Sequence, residues 1–439
     1  MPDNPFLAID KQILADSGTS GACAKNLYEL CDQIGSRFAG TEGYRRAADF
    51  MLATFREYEL DSAELEPFEF TAWRRGEPAE LAMKAPLKRA YPCYALPFGA
   101  PTDPDGLEEE AIDIGAGANE DIEARREEIK GRFAITTSSA RHRIDTYEQC
   151  AASGAAGFIL ASSVPGMGLG TGSVTNGEEG AIPAVSIACE SALQIQRLTQ
   201  NDRPRFRLTV NASFEQATTW NIVGELKGTE FPDELVIMGG HLDSHEIGPG
   251  ALDNASGAVQ VMEAARLLAG QRQNLKRTIR FIGFAAEEIG LLGSHHHAEK
   301  HASQLRKARF MLNSDCPSMG NPKGLAFHRC PQAEPYVQML AEQMETPIPF
   351  HDRFHCHSDH YPFVLEGLPT AGMAGGPFAP QIRSFGHMAA DTPDKISLTD
   401  LREGAAFAAR ILLRAANDDQ WPCLRRTPAE VREWVDALP

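Results

Sequence analysis

Between Asn26 and Leu60 apolar residues recur at helical spacing, first at Leu27, Leu30 and Ile34 and again at Ala48, Met51, Leu52 and Phe55, which predicts two helices. The stretch between them, Gly35-Ser36-Arg37-Phe38-Ala39-Gly40-Thr41-Glu42-Gly43, reads as a glycine-rich turn leading into the second helix. From about Trp73 to Trp220 the texture changes. Pro and Gly become frequent, helical periodicity fades, and short apolar runs such as Phe133-Ala134-Ile135 and Gly157-Phe158-Ile159-Leu160 stand between turns. This pattern predicts an inserted β-rich module with few helices. Its acidic tract from Glu108 to Glu128 reads as a solvated face or a loop. After Trp220 the pattern is regular: strands at Leu235-Val236-Ile237-Met238 and Ile279-Arg280-Phe281-Ile282-Gly283-Phe284 flank a helical pattern from Ser256 to Leu268, and a third apolar run, Phe310-Met311-Leu312, follows. Strand, helix, strand implies a parallel pair, and such sheets place ligand sites just beyond the carboxyl ends of their strands. The chain therefore divides into residues 1–72 and 221–439, forming one α/β domain around a mixed, largely parallel sheet flanked by helices, and an inserted module at 73–220.

Composition narrows the class. A chain of 439 residues exceeds what one ordinary core serves, in keeping with a domain plus an insertion. With 43% hydrophobic and 23% charged residues it reads as a soluble globular protein, and no apolar run approaches the roughly 20 residues of a membrane span. A formal net charge of -18 argues against nucleic acid and anionic membranes as partners. The start Met1-Pro2-Asp3-Asn4-Pro5-Phe6 lacks the basic and apolar stretches of a secretory signal, and the nine cysteines are odd in number and dispersed without a Cys-x-x-Cys pair; both features point to the cytoplasm and to reduced thiols. Homo-oligomerisation is left open.

The residues after the predicted strands carry the chemistry. His241-Leu242-Asp243 follows the first, Glu287-Glu288 the second and Asp315 the third; Asp253 lies in the loop before the helix, and His387 precedes Asp391 by four positions. Imidazole and carboxylate are the usual ligands of hydrolytic zinc, and a shared carboxylate can bridge two ions about 3.5–4 Å apart. Adjacent residues leaving a strand point to different sides, so of Glu287 and Glu288 one can bind metal while the other meets the water. Glu287 is the candidate general acid/base, taking a proton as a metal-bound hydroxide attacks a peptide carbonyl and returning it to the leaving amine. Asp243 and Asp391 are placed to orient His241 and His387, since a metal-bound histidine commonly gives its other N–H to a carboxylate.

Read together, His241-x-Asp243, Asp253-Asn254-x-Ser256-Gly257, Glu287-Glu288-x-Gly290, Asn313-x-Asp315, Ser358-Asp359-His360-x-Pro362-Phe363 and His387-x-x-x-Asp391 resemble, in order, the motifs of the co-catalytic zinc aminopeptidase family that also includes carboxypeptidase Q and glutamate carboxypeptidase. The resemblance implies a phosphorylase/hydrolase-like α/β fold and two zinc ions per chain bridged by Asp253. His241 and Asp315 would hold one ion, and Glu288 and His387 the other. It implies an exopeptidase, most simply an aminopeptidase, on dipeptides or short peptides, with a carboxypeptidase or dipeptidase as the neighbouring reading. Weaker likenesses are Gly35-Ser36-Arg37 and Gly40-Thr41, and Trp73-Arg74-Arg75-Gly76-Glu77, which is similar to the carboxypeptidase Q-like branch. Gly131-Arg132-Phe133-Ala134, Gly154-Ala155-Ala156-Gly157 and Ile182-Pro183-Ala184-Val185-Ser186 resemble a protease-associated domain, a generally non-catalytic module. Removing it is expected to leave the ligands able to fold. Several relatives carry a carbonyl-polarising tyrosine just before the last histidine where this chain has Gly386; Tyr361, His360 and Arg383 are candidates for that task, and Ser358, Asp359, His360, Tyr361 and Arg383 together form the candidate substrate-binding set.

Other features have plainer readings. Consecutive His295-His296-His297 on a helix point in different directions and read as an exposed polar face. His351, His355 and His357 read as a loop at the rim of the site, and Gly375-Gly376 lacks the Lys-Ser/Thr of a phosphate loop. Two further functions compete: a single-zinc glutaminyl-cyclase-like acyltransferase and a receptor-like binding protein that keeps the fold without catalysis.

Overall fold

The computed structural model describes residues 4–138, 141–200, 202–317, 320–376 and 385–436. Its first sheet contains β1 (Ser62–Arg75), β2 (Ala212–Leu226), β3 (Phe231–His241), β4 (Arg277–Phe284), β5 (Ala308–Asn313), β6 (Lys323–Phe327), β7 (Phe350–Asp352) and β8 (Thr370–Gly375), in the spatial order β1-β2-β4-β3-β5-β8-β6-β7. The central pairs β4–β3, β3–β5 and β5–β8 are parallel, with antiparallel pairs on either side. Every residue of β4 is buried. A strand covered on both faces has no solvent side to alternate with, hence the apolar Ile279, Phe281, Ile282 and Phe284 on both faces, with the buried Arg280 paired to Glu225.

Helices cover both the sheet and its edges. The expected pair near the N-terminus becomes Ala22–Tyr28, continued by one π-helical stretch to Ile34, and α1 (Glu42–Glu57). Thr41 caps α1 by accepting the N–H of Tyr44, and α1 buries Ala47, Met51 and Phe55 over β1 and β2. Among the further helices are α2 (Ser256–Ala269), α3 (Leu292–Lys300), α4 (His360–Leu365) and α5 (Leu398–Asn417). α2 lies between α5 and the strands β3 and β4, and is buried at nearly every position. No helix among the described residues is long and apolar enough to cross a membrane.

A second sheet draws all its strands from residues 80–209. It hangs from the long β1–β2 ladder, which runs from Ser62 opposite Glu225 to Arg75 opposite Ala212 and contains both Trp73 and Trp220. Its middle strands Leu107–Asp113, Phe133–Ile135, Gly157–Ala161 and Ala184–Ile187 pair in parallel. Parallel neighbours need crossovers, and the segment carries the helices Asn119–Ala124, Arg126–Ile129, Arg143–Ala152 and Cys189–Thr199. The expectation of few helices fails because these run only 4 to 11 residues, too short to show a sustained helical period. The acidic tract is likewise more than a loop. It spans a strand and two helices, and its sparse apolar residues Ala111, Ile112, Ile122 and Ile129 are buried and anchor it.

Candidate metal centre

His241 ends β3, and its Nε2 lies 3.3 Å from Asp253 Oδ1 and 3.4 Å from Asp315 Oδ1. Asp253 sits in the irregular turn that precedes α2. Its other oxygen, Oδ2, faces His387 Nε2 at 3.2 Å, and the same nitrogen is 3.2 Å from Glu288 Oε2. All five expected ligands thus meet beyond the carboxyl ends of β3, β4 and β5. A sixth joins them: His245 Nε2 is 2.9 Å from Glu288 Oε2. The groups His241/Asp253/Asp315 and His245/Glu288/His387 each bring one donor atom per residue within 4.8 Å of one another. Sequence reasoning missed His245, although His241-x-Asp243-x-His245 shows the period of two expected of extended chain leaving a strand.

The supporting contacts are specific. Asp243 accepts the backbone N–H groups of Glu287 and Glu288 at 3.2 and 3.3 Å, and its carbonyl lies 3.2 Å from His241 Nδ1. It therefore fixes both the histidine and the paired glutamates. Asp391 does not orient His387 as expected. Its carboxylate accepts the N–H groups of Leu252 and Asp253 at 2.8 and 3.0 Å, so it holds the Asp253 turn instead. Arg37 is wholly buried and donates to the carbonyls of Leu242 at 2.8 Å and Gly250 at 3.1 Å, fastening the end of β3 to that turn. At Gly257 a Cβ would fall 2.1 Å from the Ser314 carbonyl, so glycine lets α2 start against the Asp315 loop.

The proposed substrate set separates. Ser358 accepts from Asn313 Nδ2 at 2.7 Å and donates to Asp315 Oδ2, which makes it a support for a ligand. Asp359 is fully buried and lies outside the cavity lining. His360 and Tyr361 line the cavity, which has a volume of about 860 Å³ and also exposes Glu287. Arg383 lies outside the described residues. The second-sheet segment contributes His142 and Arg143 to the wall. Arg143 Nε donates to the Ser173 carbonyl at 2.8 Å, and its guanidinium feels the charge of Glu288, Glu287 and Asp253. No local pattern marked it. The same segment also holds His387: the Thr171 N–H donates to the His387 carbonyl at 2.9 Å beside a bridge between Gly170 and Met388. The ligand set is therefore not independent of residues 80–209.

The exposed face expected for His295-His296-His297 is also corrected. His297 is buried with Nδ1 2.9 Å from Glu66 Oε1, His296 stacks on Phe68, and His295 alone stays exposed, at the cavity wall. His355 and His357 line the cavity, while His351 lies on β7.

Electrostatics test whether these residues suit cations. Burial pushes the Glu287 carboxyl well above the usual range, and Asp315 and Glu288 add to this against the opposing His241. Burial disfavours a charged His387, yet Glu288 and Asp253 raise it to about 10. His241 is likewise raised, burial being outweighed by Glu287 and the surrounding aspartates. Carboxylates that drive buried imidazoles toward protonation form a site short of positive charge. Among the described residues, Glu288 Oε1 is buried without a hydrogen-bonding partner. Imidazole and carboxylate donors converging in this way fit a pair of divalent ions.

The fold and this donor set define an enzyme of the zinc metallopeptidase class. The model of Peptidase family M28 matches residues 221–412, the part that carries all six imidazole and carboxylate donors. Among curated proteins the chain is similar to carboxypeptidase Q of Xenopus laevis, 27% identical over 351 residues that cover 76% of this chain and 73% of that protein. The match to bovine carboxypeptidase Q, at 26% identity, spans 65% of the relative's length and 68% of this chain. Aminopeptidase YwaD of Bacillus subtilis is 26% identical over 413 residues, covering 91% and 86% of the two chains. Among solved structures, a peptidase M28 precursor from Shewanella amazonensis superposes with a TM-score of 0.82 at 24% identity over 96% of this chain and 98% of its own, and a zinc aminopeptidase from Bacillus subtilis with 0.72 at 24% over 91% and 95%. These superpositions establish the shared fold.

Proposed function

We propose that this protein is a two-zinc exopeptidase that releases the N-terminal residue of dipeptides and short peptides. The observation that carries the reading is Asp253, whose two oxygens face two different imidazoles, His241 at 3.3 Å and His387 at 3.2 Å, each within its own donor group. A single-zinc cyclase needs one such group. His241, Asp253 and Asp315 would hold one ion, and Glu288, His387 and His245 the other, with Asp253 shared. Bound there, the ions would polarise the scissile carbonyl and activate water. Glu287 accepts the proton of the attacking water and passes it to the leaving amine. Residues 73–220 act as a protease-associated-like module over the mouth, favouring short peptides, and a reducing cytoplasmic setting suits the nine dispersed cysteines.

Arg143 favours one second reading, a carboxypeptidase or dipeptidase, because a guanidinium on the wall suits a substrate carboxylate. One screen separates them. Dipeptides with free ends, a blocked amine or a blocked carboxyl are assayed with zinc content measured in parallel. Two zinc ions per chain, with hydrolysis lost on blocking the amine, on chelation, and regained with zinc, is the expected result. Sensitivity to the carboxyl block alone would transfer the assignment to the second reading, and one ion or none would overturn both.

A further inference from the structure

Two of the nine cysteines meet outside the donor set of the peptidase reading. Cys330 lies just past β6, and Cys423 lies in the segment that joins α5 to the C-terminal helix Pro428–Asp436. Their sulfurs are 3.3 Å apart although the residues are separated by 93 positions, and both side chains are buried. We infer that Cys330 and Cys423 form a redox-modifiable dithiol, which a small-molecule disulfide converts into an intramolecular disulfide that fastens the C-terminal segment to the end of β6.

The surrounding fold holds the two sulfurs together. The Cys330 N–H donates to Asp352 Oδ1 at 2.9 Å, and on the other side Arg426 Nη2 donates to the Arg329 carbonyl at 2.8 Å while its N–H donates to the Gly367 carbonyl at 2.9 Å. Trp421, two residues before Cys423, packs edge-on to Phe310 at 4.8 Å and to Tyr336 at 5.5 Å. Both backbones are thus fixed before any bond forms. A disulfide sets its sulfurs about 2.05 Å apart, so these must close by about 1.2 Å. Each Sγ stands about 1.7 Å from its Cα–Cβ axis, and turning both by about 20° toward each other supplies that distance while each side chain stays within one staggered well.

The chemistry is thiol–disulfide exchange. One cysteine sulfur attacks the small disulfide, expels a first small thiol and leaves a mixed disulfide; the other cysteine sulfur then attacks that bond and expels the second. One S–S bond forms in the protein as one breaks in the oxidant, and the two cysteine thiol hydrogens leave on the two small thiols. Access comes from a second cavity, of about 810 Å³, whose wall includes Cys423 together with Phe231 and Ala308 at the starts of β3 and β5, opposite the strand ends that carry the metal donors. A volume of that order admits a small organic molecule. In a reducing medium the two thiols persist, and a rising oxidised fraction closes the bond.

The neighbouring Cys330 sulfur and burial hold the Cys423 thiol above its usual range, which slows exchange at neutral pH. The full chain is therefore equilibrated for hours at pH about 8 in glutathione buffers of rising oxidised fraction. Remaining thiols are alkylated, and unreduced peptides are mapped by mass spectrometry. The expected result is a linked Cys330–Cys423 peptide pair lighter by two hydrogens and released by dithiothreitol. The melting temperature should rise at least about 2 °C with it, because the bond closes a long loop. Cys423→Ala should show neither change, and Cys330→Ser repeats the control if that variant folds poorly. Both sulfurs alkylated even in wholly oxidised glutathione, or each carrying its own glutathione, would overturn the inference. So would an equal rise in melting temperature in Cys423→Ala. The peptide map reads sulfur connectivity alone, so it stands whatever the metal content or substrate of the peptidase site.

Discussion

On one side of the cavity three imidazoles, His241, His245 and His387, face Asp253, Glu288 and Asp315 at 2.9–3.4 Å; on the other, His328, His355 and His360 gather as imidazoles alone. The same residue type is driven in opposite directions. Beside carboxylates, His387 is raised to about 10 despite burial, whereas His328, buried with His355 as neighbour, falls to about 3. The first wall carries buried negative charge that something positive must balance, and ions held there would be part of the folded state. On the second wall burial holds His328 and His360 in the neutral form.

The comparison can be broken most severely at Asp253. Asp253→Ala should remove both ions of the carboxylate wall and reduce hydrolysis to background, measured as zinc per chain and dipeptide turnover; loss of one ion alone would end the bridging assignment. Glu287→Gln should keep both ions and lower kcat at least about a hundredfold, since it removes proton transfer while preserving size. Retained turnover would move the proton-transfer role to another group. His245→Ala should weaken one ion of the pair at least about tenfold and leave the other bound, read by competition with a chelator. If both ions stay equally tight, His245 is a packing residue.

The smallest effect on the site is expected at a control carboxylate. Asp10 is buried on the N-terminal helix Leu7–Thr19 and is met by Arg414 Nη2 at 2.8 Å and by Arg410 from α5. Burial works against its charge, yet the two guanidiniums hold it at about 2. Its contribution is therefore present above pH about 4 and lost as pH falls toward 2. Asp10→Asn should cost about 3–5 kcal/mol in denaturant unfolding and leave zinc content unchanged, because here the protein supplies its own cations. Chelation should do the reverse, destabilising wild type and Asp10→Asn alike by about 4 kcal/mol if zinc was present at a thousandfold over its dissociation constant. A metal-free protein that melts like the loaded one would erase the contrast between the two kinds of buried carboxylate.

Much of the first wall was legible in the chain. The buried part of β3 and the strands β4 and β5 appear as largely apolar runs, the turn to polar residues marks where they end, and His241, Glu287, Glu288 and Asp315 stand at or just past those ends. Burial of a strand and the position of the next few residues are local properties, so periodicity reports them. Tertiary structure alone decided which atoms meet. That Asp253 divides its oxygens between two histidines, that Asp391 serves the Asp253 turn rather than His387, and that Ser358 supports Asp315 all depend on loops from distant strands closing to about 3 Å. The same holds for Arg37 across the end of β3, for Thr171 holding His387, and for Arg143 reaching the wall from the second sheet. Residue type and spacing record which side chains are buried and which are near in the chain, but hydrogen bonds and metal donor sets are fixed by contacts of a few ångströms between segments far apart in sequence, and those arise only when the parallel register and the crossovers between the two sheets are in place.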